Sequence, residues 1–407
     1  MKTALAIFVA SLLLLNLAPV IDSQQSFIES VISHITEKTA HYYLSNLLSF
    51  APRYTGTENC KKAEEWAYKE FLKMGLKAEF FEWEMGGFTD RNVVATLAGK
   101  TNYTIIVCAH IDTVEDAPGA DDDGSGTAAV LCMAKALRYY HFANTIKFVL
   151  FSGEEVGTYG SYSYAKYLYE KGEKIIGVFM LDMVGYATTE KGGRYIRIFK
   201  PERSDKLVEK IKDTAERYKS ILNMEIEVVP NYPGSDHEAF VEYGYDAIFA
   251  AHYEGYPYGH SPEDTIDKIN FTYEMKVARL FAAVVAEMAM EKVKTYVEII
   301  EPKEGYVYLF NHAIMPVNSK TWYLGLRGAT VIIGRVDVIA SVDGEVEKVI
   351  FGIDDRMWKW VYSPPYEWRM NVATFGKHYI KVYAYGDEIA KDEMDIIAIT
   401  PYIPSIP

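Results

Sequence analysis

The stretch Tyr103-Thr-Ile-Ile-Val-Cys-Ala-His110-Ile-Asp112 decides how the rest of the chain is read. Residues 103–109 have the composition of a buried strand. That apolar run ends abruptly on a histidine and an aspartate. A glycine-containing loop then supplies Asp121, Asp122 and Asp123, and Gly124 opens a helical pattern over 124–140. Other strands end in the same way. Residues 145–151 lead to Glu154 and Glu155, and 175–180 lead to Asp182. A strand at 246–251 precedes the loop that holds His260. In open α/β sheets, sites form at the carboxyl ends of strands. Five segments therefore carry His, Asp and Glu to one edge of one sheet.

Each group also has a plainer reading as a cap, a turn or a solvated pair. Yet carboxylates brought this close repel one another, and they stay ionised together when a cation offsets them. Two histidines with several carboxylates suit zinc. With one shared carboxylate, five ligands can hold two metals about 3.5–4 Å apart.

Working outward, helical spacing predicts helices at 26–50, 58–74, 159–170, 204–219 and 271–294. In the last of these, Tyr273, Val277, Leu280, Phe281, Val284, Val285 and Met288 share one face. Strands are expected at 78–83, 92–97, 195–199 and 224–229. Strands alternating with helices predict an α/β domain around one sheet. After about residue 296 helical periodicity stops. Six or seven short alternating strands, among them 306–310, 329–333, 337–341, 345–350, 378–384 and 394–399, predict a β-sandwich. The expected domains are 24–296 (α/β) and 297–407 (all-β).

The chain has 407 residues, 49% apolar and 24% charged, which excludes disordered, collagen-like and coiled-coil classes. A net charge of -14 gives no support to nucleic-acid binding. Residues 4–21 are apolar behind Lys2 and predict a secretory signal over 1–23, its alternative being an uncleaved anchor. No stable membrane span is expected after its removal, and the protein is expected to be secreted or on the cell surface. Three cysteines make no disulfide framework. A Cys108–Cys132 bridge stays open as a reading, and Cys60 is expected to be free. Gln occurs only at positions 24 and 25, beside abundant Glu and Lys, the composition of a heat-adapted protein. Asn102 and Asn270 begin Asn-x-Thr sequons, which permit glycosylation.

These motifs resemble the secreted dinuclear zinc aminopeptidases of the family that also contains glutamate carboxypeptidases and glutaminyl cyclases. The resemblance runs through His110-Ile-Asp-Thr, Pro118-Gly-Ala-Asp-Asp-Asp-Gly-Ser-Gly126, Gly153-Glu-Glu-Val-Gly157, Leu181-Asp-Met-Val-Gly185, Ser235-Asp-His237 and His260-Ser-Pro-Glu-Asp-Thr265, with Arg53-Tyr-Thr-Gly-Thr57 and Asn92-Val-Val-Ala95 upstream. It covers about residues 30–295 and implies a mixed central sheet flanked by helices. It implies that His110 and Asp182 hold one Zn2+, that Glu155 and His260 hold the other, and that Asp122 bridges both. Co2+ or Mn2+ suit the same ligands. By the same resemblance Glu154 is the general base, Asp112 orients His110, and Asp236 lies near the substrate. The expected substrates are peptides with a free N-terminus. Carboxypeptidase or glutaminyl cyclase chemistry on the same site type, or an inactive binding protein, are the alternatives.

Tyr256 and Tyr258 lie in an aromatic segment before His260; either they pack, or one of them lines the side-chain pocket or donates to the oxyanion. Some relatives place a tyrosine directly before the last His, where this chain has Gly259. The C-terminal part resembles immunoglobulin-like modules through Pro365-Tyr-Glu-Trp368 and Gly376-Lys-His-Tyr-Ile380. Trp322, Trp358, Trp360 and Trp368 are expected in its core or on strand faces, the alternative being a ligand platform.

Overall fold

The computed structural model describes residues 25–317 and 329–400. The expected leader and Trp322 lie outside the described residues. The first part of the chain builds one eight-stranded mixed sheet in the order β1-β2-β4-β3-β5-β8-β6-β7. Its strands are β1 (Lys77–Met85), β2 (Phe88–Leu97), β3 (Tyr103–His110), β4 (Thr145–Phe151), β5 (Lys174–Leu181), β6 (Tyr195–Lys200), β7 (Glu225–Pro230) and β8 (Ala247–His252). The central strands β4, β3, β5 and β8 run parallel. They therefore present their carboxyl ends along one edge. β1 and β2 form a hairpin across Gly86 and Gly87, whose positive φ values the turn requires.

All eight residues of β3 are buried. Ile105, Val107 and Ala109 pack into one core and Ile106 and Cys108 into another. The period of two divides one apolar strand between two helical layers, as a strand covered on both faces requires. The larger layer holds α2 (Glu37–Leu48), α3 (Glu58–Lys73), α4 (Gly124–Leu137), α6 (Asp205–Arg217) and α9 (Phe271–Met290). The smaller one holds α5 (Tyr159–Lys171) and α8 (His237–Glu242). In between, α7 is a single turn at Lys219–Leu222.

Two sequence expectations change here. The helix expected over 26–50 is two helices, α1 at 25–33 and α2. Thr36 breaks the run: its backbone is extended, and its side chain caps α2 in a reciprocal box with Thr39. The Cys108–Cys132 bridge is absent. Cys60, Cys108 and Cys132 are all free and buried. Cys108 Sγ instead donates to the Phe179 carbonyl at 3.6 Å.

After α9 the chain is all β. Ten strands are described where six or seven were expected. β11 (His312–Pro316), β10 (Tyr306–Leu309), β12 (Thr330–Ile333), β18 (Ile389–Thr400), β17 (Thr374–Gly386), β14 (Val346–Ile353) and β15 (Arg356–Val361) form one sheet, in that order. β16 (Glu367–Met370), β13 (Val336–Asp343) and β9 (Tyr296–Glu301) form the other. Val297, Val338, Phe351, Trp368, Val382 and Ile396 share the core of this region. Trp358 and Trp360 do not; they stand 44% and 45% exposed on edge strand β15. The region docks on the amino ends of β3 and β5. There the Tyr103 hydroxyl donates to Asp343 at 2.9 Å and Lys174 pairs with the same carboxylate. No helix among the described residues is long and apolar enough to cross a membrane.

Candidate metal centre

His110 is the last residue of β3 and Asp182 follows β5, so adjacent parallel strands deliver them side by side. His110 Nε2 lies 3.2 Å from Asp122 Oδ1 and 3.7 Å from Asp182 Oδ1. Asp122 turns its other oxygen, Oδ2, to His260 Nε2 at 3.1 Å. The same nitrogen is 3.1 Å from Glu155 Oε2. Ligand atoms of His110, Asp122 and Asp182 lie within 4.8 Å of one another, and so do those of Asp122, Glu155 and His260. One carboxylate thus belongs to two His-carboxylate groups, and each group could hold a metal.

The groups around these side chains explain their aim. Asp112 is fully buried. Its Oδ1 sits 3.5 Å from His110 Nδ1, whose nearer partner is the Asp112 carbonyl at 3.2 Å. Both contacts leave Nε2 facing Asp122, the carboxylate–histidine arrangement found behind metal ligands. Asp112 also accepts the amides of Glu154 and Glu155, at 3.3 and 3.2 Å, and the Thr55 hydroxyl at 2.7 Å. Ser235 Oγ donates to Asp182 Oδ2 at 2.6 Å.

Of the three consecutive aspartates only the middle one faces both histidines. Asp121 accepts the Gly185 amide (2.8 Å) and pairs with His252 (3.0 Å). Asp123 accepts the amides of His110, Gly126 and Met183 (3.1, 2.9 and 3.1 Å). The flanking carboxylates therefore tie the ends of β3 and β5 to the start of α4. Gly126 makes this approach feasible: a Cβ there would stand 2.1 Å from the Leu181 carbonyl. The Asp122–Asp123 peptide is cis.

The electrostatics follow from excess negative charge in a buried place. Burial opposes protonation of His110, but hydrogen bonds to Asp112, Asp122 and Asp182 outweigh it and hold its pKa well above the imidazole range. The hydrogen bond to Asp122 raises His260 to about 9. Asp122 is held below its ordinary range, because its bonds to both histidines exceed the effect of burial. Burial, then Asp122, pushes Glu155 up to about 8. Burial also lifts Glu154 well above the usual carboxylate range, opposed by His110 and assisted by Asp236 and Asp182.

This donor set fits divalent metal. Glu155 Oε1 is buried without a hydrogen-bond partner, and the histidine nitrogens converge on carboxylate oxygens. A third group among the described residues, Cys60, Glu64 and Asp90, does not behave this way. Its Glu64 is already met by Arg91 Nε at 2.6 Å.

The remaining expected site residues are placed differently. Asp236 is fully buried, and burial raises it to about 7. The Tyr256 hydroxyl is committed to Asp264 Oδ1 at 2.5 Å, which removes it as an oxyanion donor. Its ring packs edge-on against Tyr186 and Tyr258, with centroids at 4.9 and 5.5 Å. Tyr186 and Tyr258 are also in edge contact, so the three rings form one cluster. Sequence reasoning did not assign roles to Arg53, Ser235 or Asp264. Arg53 is completely buried and donates to the carbonyls of Ile111, Pro118 and Gly119. A buried, hence committed, arginine leaves no trace in composition or periodicity.

Residues 92–285 match the model of peptidase family M28. Leucine aminopeptidase 1 of Coccidioides posadasii is 28% identical over 293 residues, covering 65% of this chain and 74% of that one. The LapA aminopeptidase of Legionella pneumophila superposes with a TM-score of 0.60 at 21% identity, over 66% of this chain and 76% of its own. BSAP, a zinc aminopeptidase from Bacillus subtilis, does so with a TM-score of 0.58 at 19% identity, over 63% and 96%. The matched segment carries the ends of β3, β4 and β5 together with the His260 loop.

Proposed function

We propose that the protein is a zinc aminopeptidase that removes N-terminal residues from peptides. The observation that carries this reading is the two-sided Asp122 carboxylate, one oxygen toward each of two His-carboxylate groups. In this reading His110 and Asp182 would hold one zinc, Glu155 and His260 the other, and Asp122 would be shared by both. Two zinc ions bound there lower the pKa of water and polarise the scissile carbonyl.

The chain's own residues do the rest. Asp112 accepts the backbone amides of the ligand Glu155 and of its neighbour Glu154, which is the base. The Glu154 carboxylate takes a proton from the attacking water and passes it to the departing amine. A base whose pKa is raised by burial keeps that proton long enough to deliver it near neutral pH. Asp112 keeps His110 in the tautomer that frees Nε2. The surplus of carboxylates attracts a free α-ammonium group, which favours exopeptidase action at N-termini. The aromatic cluster of Tyr186, Tyr256 and Tyr258 favours apolar first residues.

The reading extends to the whole chain. Residues 24–296 form the catalytic domain and 297–407 an immunoglobulin-like one, with the boundary at the first residue of β9. The segment 1–23 exports the protein. The Gln-poor, Glu- and Lys-rich composition gives a melting temperature above the roughly 45–65 °C of mesophile domains.

Hydrolysis of a panel of aminoacyl arylamides, with and without chelator and added zinc, tests the activity. Chelator-sensitive release restored by zinc is the expected result. Activity only on blocked N-termini or internal bonds rejects the reading. Calorimetric melting tests the stability.

A further inference from the structure

The loop that ends β8 carries two residues that face the centre differently. His260 has a positive φ of 53° and a side chain 62% exposed. Little packing can hold such a ligand in place. Four residues later Asp264 is completely buried. Its Oδ1 accepts the amide of Asp121 at 2.9 Å and its Oδ2 the amide of Asp122 at 3.1 Å. Its carbonyl accepts the amide of Ala120 at 3.2 Å. Between the two positions the chain is a tight turn. The Asp264 amide donates to the Ser261 carbonyl, and Ser261 Oγ donates to the Tyr258 carbonyl at 2.7 Å. The Tyr256 hydroxyl completes the clamp from the same loop by donating to Asp264 Oδ1.

The first ligand group is anchored elsewhere. His110 is set by Asp112 and Asp123, and Asp182 by Ser235, through strand ends that Asp264 does not touch. We propose that Asp264, aimed by Tyr256, is a positioning residue. It holds His260 in register with the bridging Asp122 and so sets the affinity of the His260–Glu155 subsite far more than that of the His110–Asp182 subsite. The proposal rests on the two-metal reading above. Its energetic logic is that of residues behind metal ligands, whose loss typically weakens metal binding about 10–100-fold. Here the effect falls mainly on one of two sites, because the clamp fastens the loop that carries His260, a ligand of that site alone, to the Asp121–Asp122 backbone.

The test is a Co2+ titration of chelator-stripped full-length protein, followed by calorimetry and by the visible absorption of each bound equivalent. It compares the parent with Asp264→Asn and Tyr256→Phe. In Asp264→Asn the second equivalent is expected to bind about 10–100-fold more weakly while the first changes by less than about threefold. Tyr256→Phe, which removes one hydroxyl, is expected to shift the second equivalent in the same direction by less. Unchanged affinities in both variants overturn the proposal. So does equal weakening of both equivalents with a lowered melting temperature, the mark of a merely structural residue. If Asp264→Asn does not fold, Tyr256→Phe decides by the same criterion. A parent that binds a single equivalent overturns the two-metal reading itself, and the proposal with it.

Discussion

The parallel strands carry acidic clusters at both ends, and the two behave differently. At the carboxyl ends, Asp122, Asp182 and Glu155 converge with His110 and His260 until their ligand atoms lie within 4.8 Å. At the amino ends, where the all-β region docks, Asp246, Glu304 and Asp392 surround Arg203 instead. Its contacts are 3.5 Å to Asp246, 3.8 Å to Glu304 and 3.1 Å to Asp392. Asp392 also accepts the Ile299 amide at 2.7 Å. Both clusters bury carboxylates, which costs free energy unless the charge is offset. In the seam a built-in guanidinium supplies that offset. In the centre the two imidazoles do so only partly, and the donor set suits divalent metal. Residue type alone does not separate a catalytic centre from a structural joint. What separates them is whether the oxygens meet at a point or around an arginine.

Five substitutions test that contrast. Glu154→Gln keeps the proposed ligands and removes the base. A fall in kcat of about 10²–10⁴ is expected with metal content unchanged, read by steady-state kinetics beside elemental analysis. Arg203→Ala leaves three partly buried carboxylates without their cation. A loss of about 3–5 kcal/mol is expected in denaturant unfolding, with kcat/KM per folded molecule retained. Equal loss of activity would tie the seam to the site.

The third variant works through pH. Burial, then Asp392, raises Glu298 to about 7, and burial raises Asp392 to about 6. An acid whose folded pKa is raised binds more protons when folded. Its neutral form favours the fold at low pH, and that contribution is lost as pH rises from the unfolded value of about 4 through 6–7. Glu298→Gln should therefore stabilise the protein relative to the parent increasingly between pH 5 and pH 8. The gain is on the order of 1 kcal/mol after screening at this half-buried position, visible as a widening gap in melting temperature. The smallest effect belongs to the exposed edge of the all-β region. Trp358→Ala and Trp360→Ala should each cost less than about 1 kcal/mol and leave hydrolysis unchanged.

Much of the centre was legible beforehand because its residues sit where apolar strand patterns stop. His110 ends β3, Asp182 follows β5, and Glu154 and Glu155 follow β4 at once. The clamps were not legible. Asp264 acts on amides more than 140 positions away in the chain, and nothing in its neighbourhood distinguishes it from a turn residue. Tyr256 read either as packing or as a pocket or oxyanion residue because its segment is aromatic, and its bond to Asp264 was not among those readings. The break at Thr36 was hidden by helical spacing on both sides, and a capping box stops a helix without changing its periodicity. Trp358 and Trp360 looked like strand residues and are, but edge position exposes them.

The sequence by itself determined the alternation of strands and helices, the change of period near residue 296 and the family motifs, because burial on two faces or one imposes local periodicity. It also determined which side chains reach the strand ends. The family motifs singled out Asp122; only the tertiary structure decided that Asp121 and Asp123 bind backbone amides. The same is true of the seam, where Arg203 meets three carboxylates from distant segments. Hydrogen bonds and ion pairs act over about 3–4 Å, and which groups come that close is settled by packing, not by spacing along the chain.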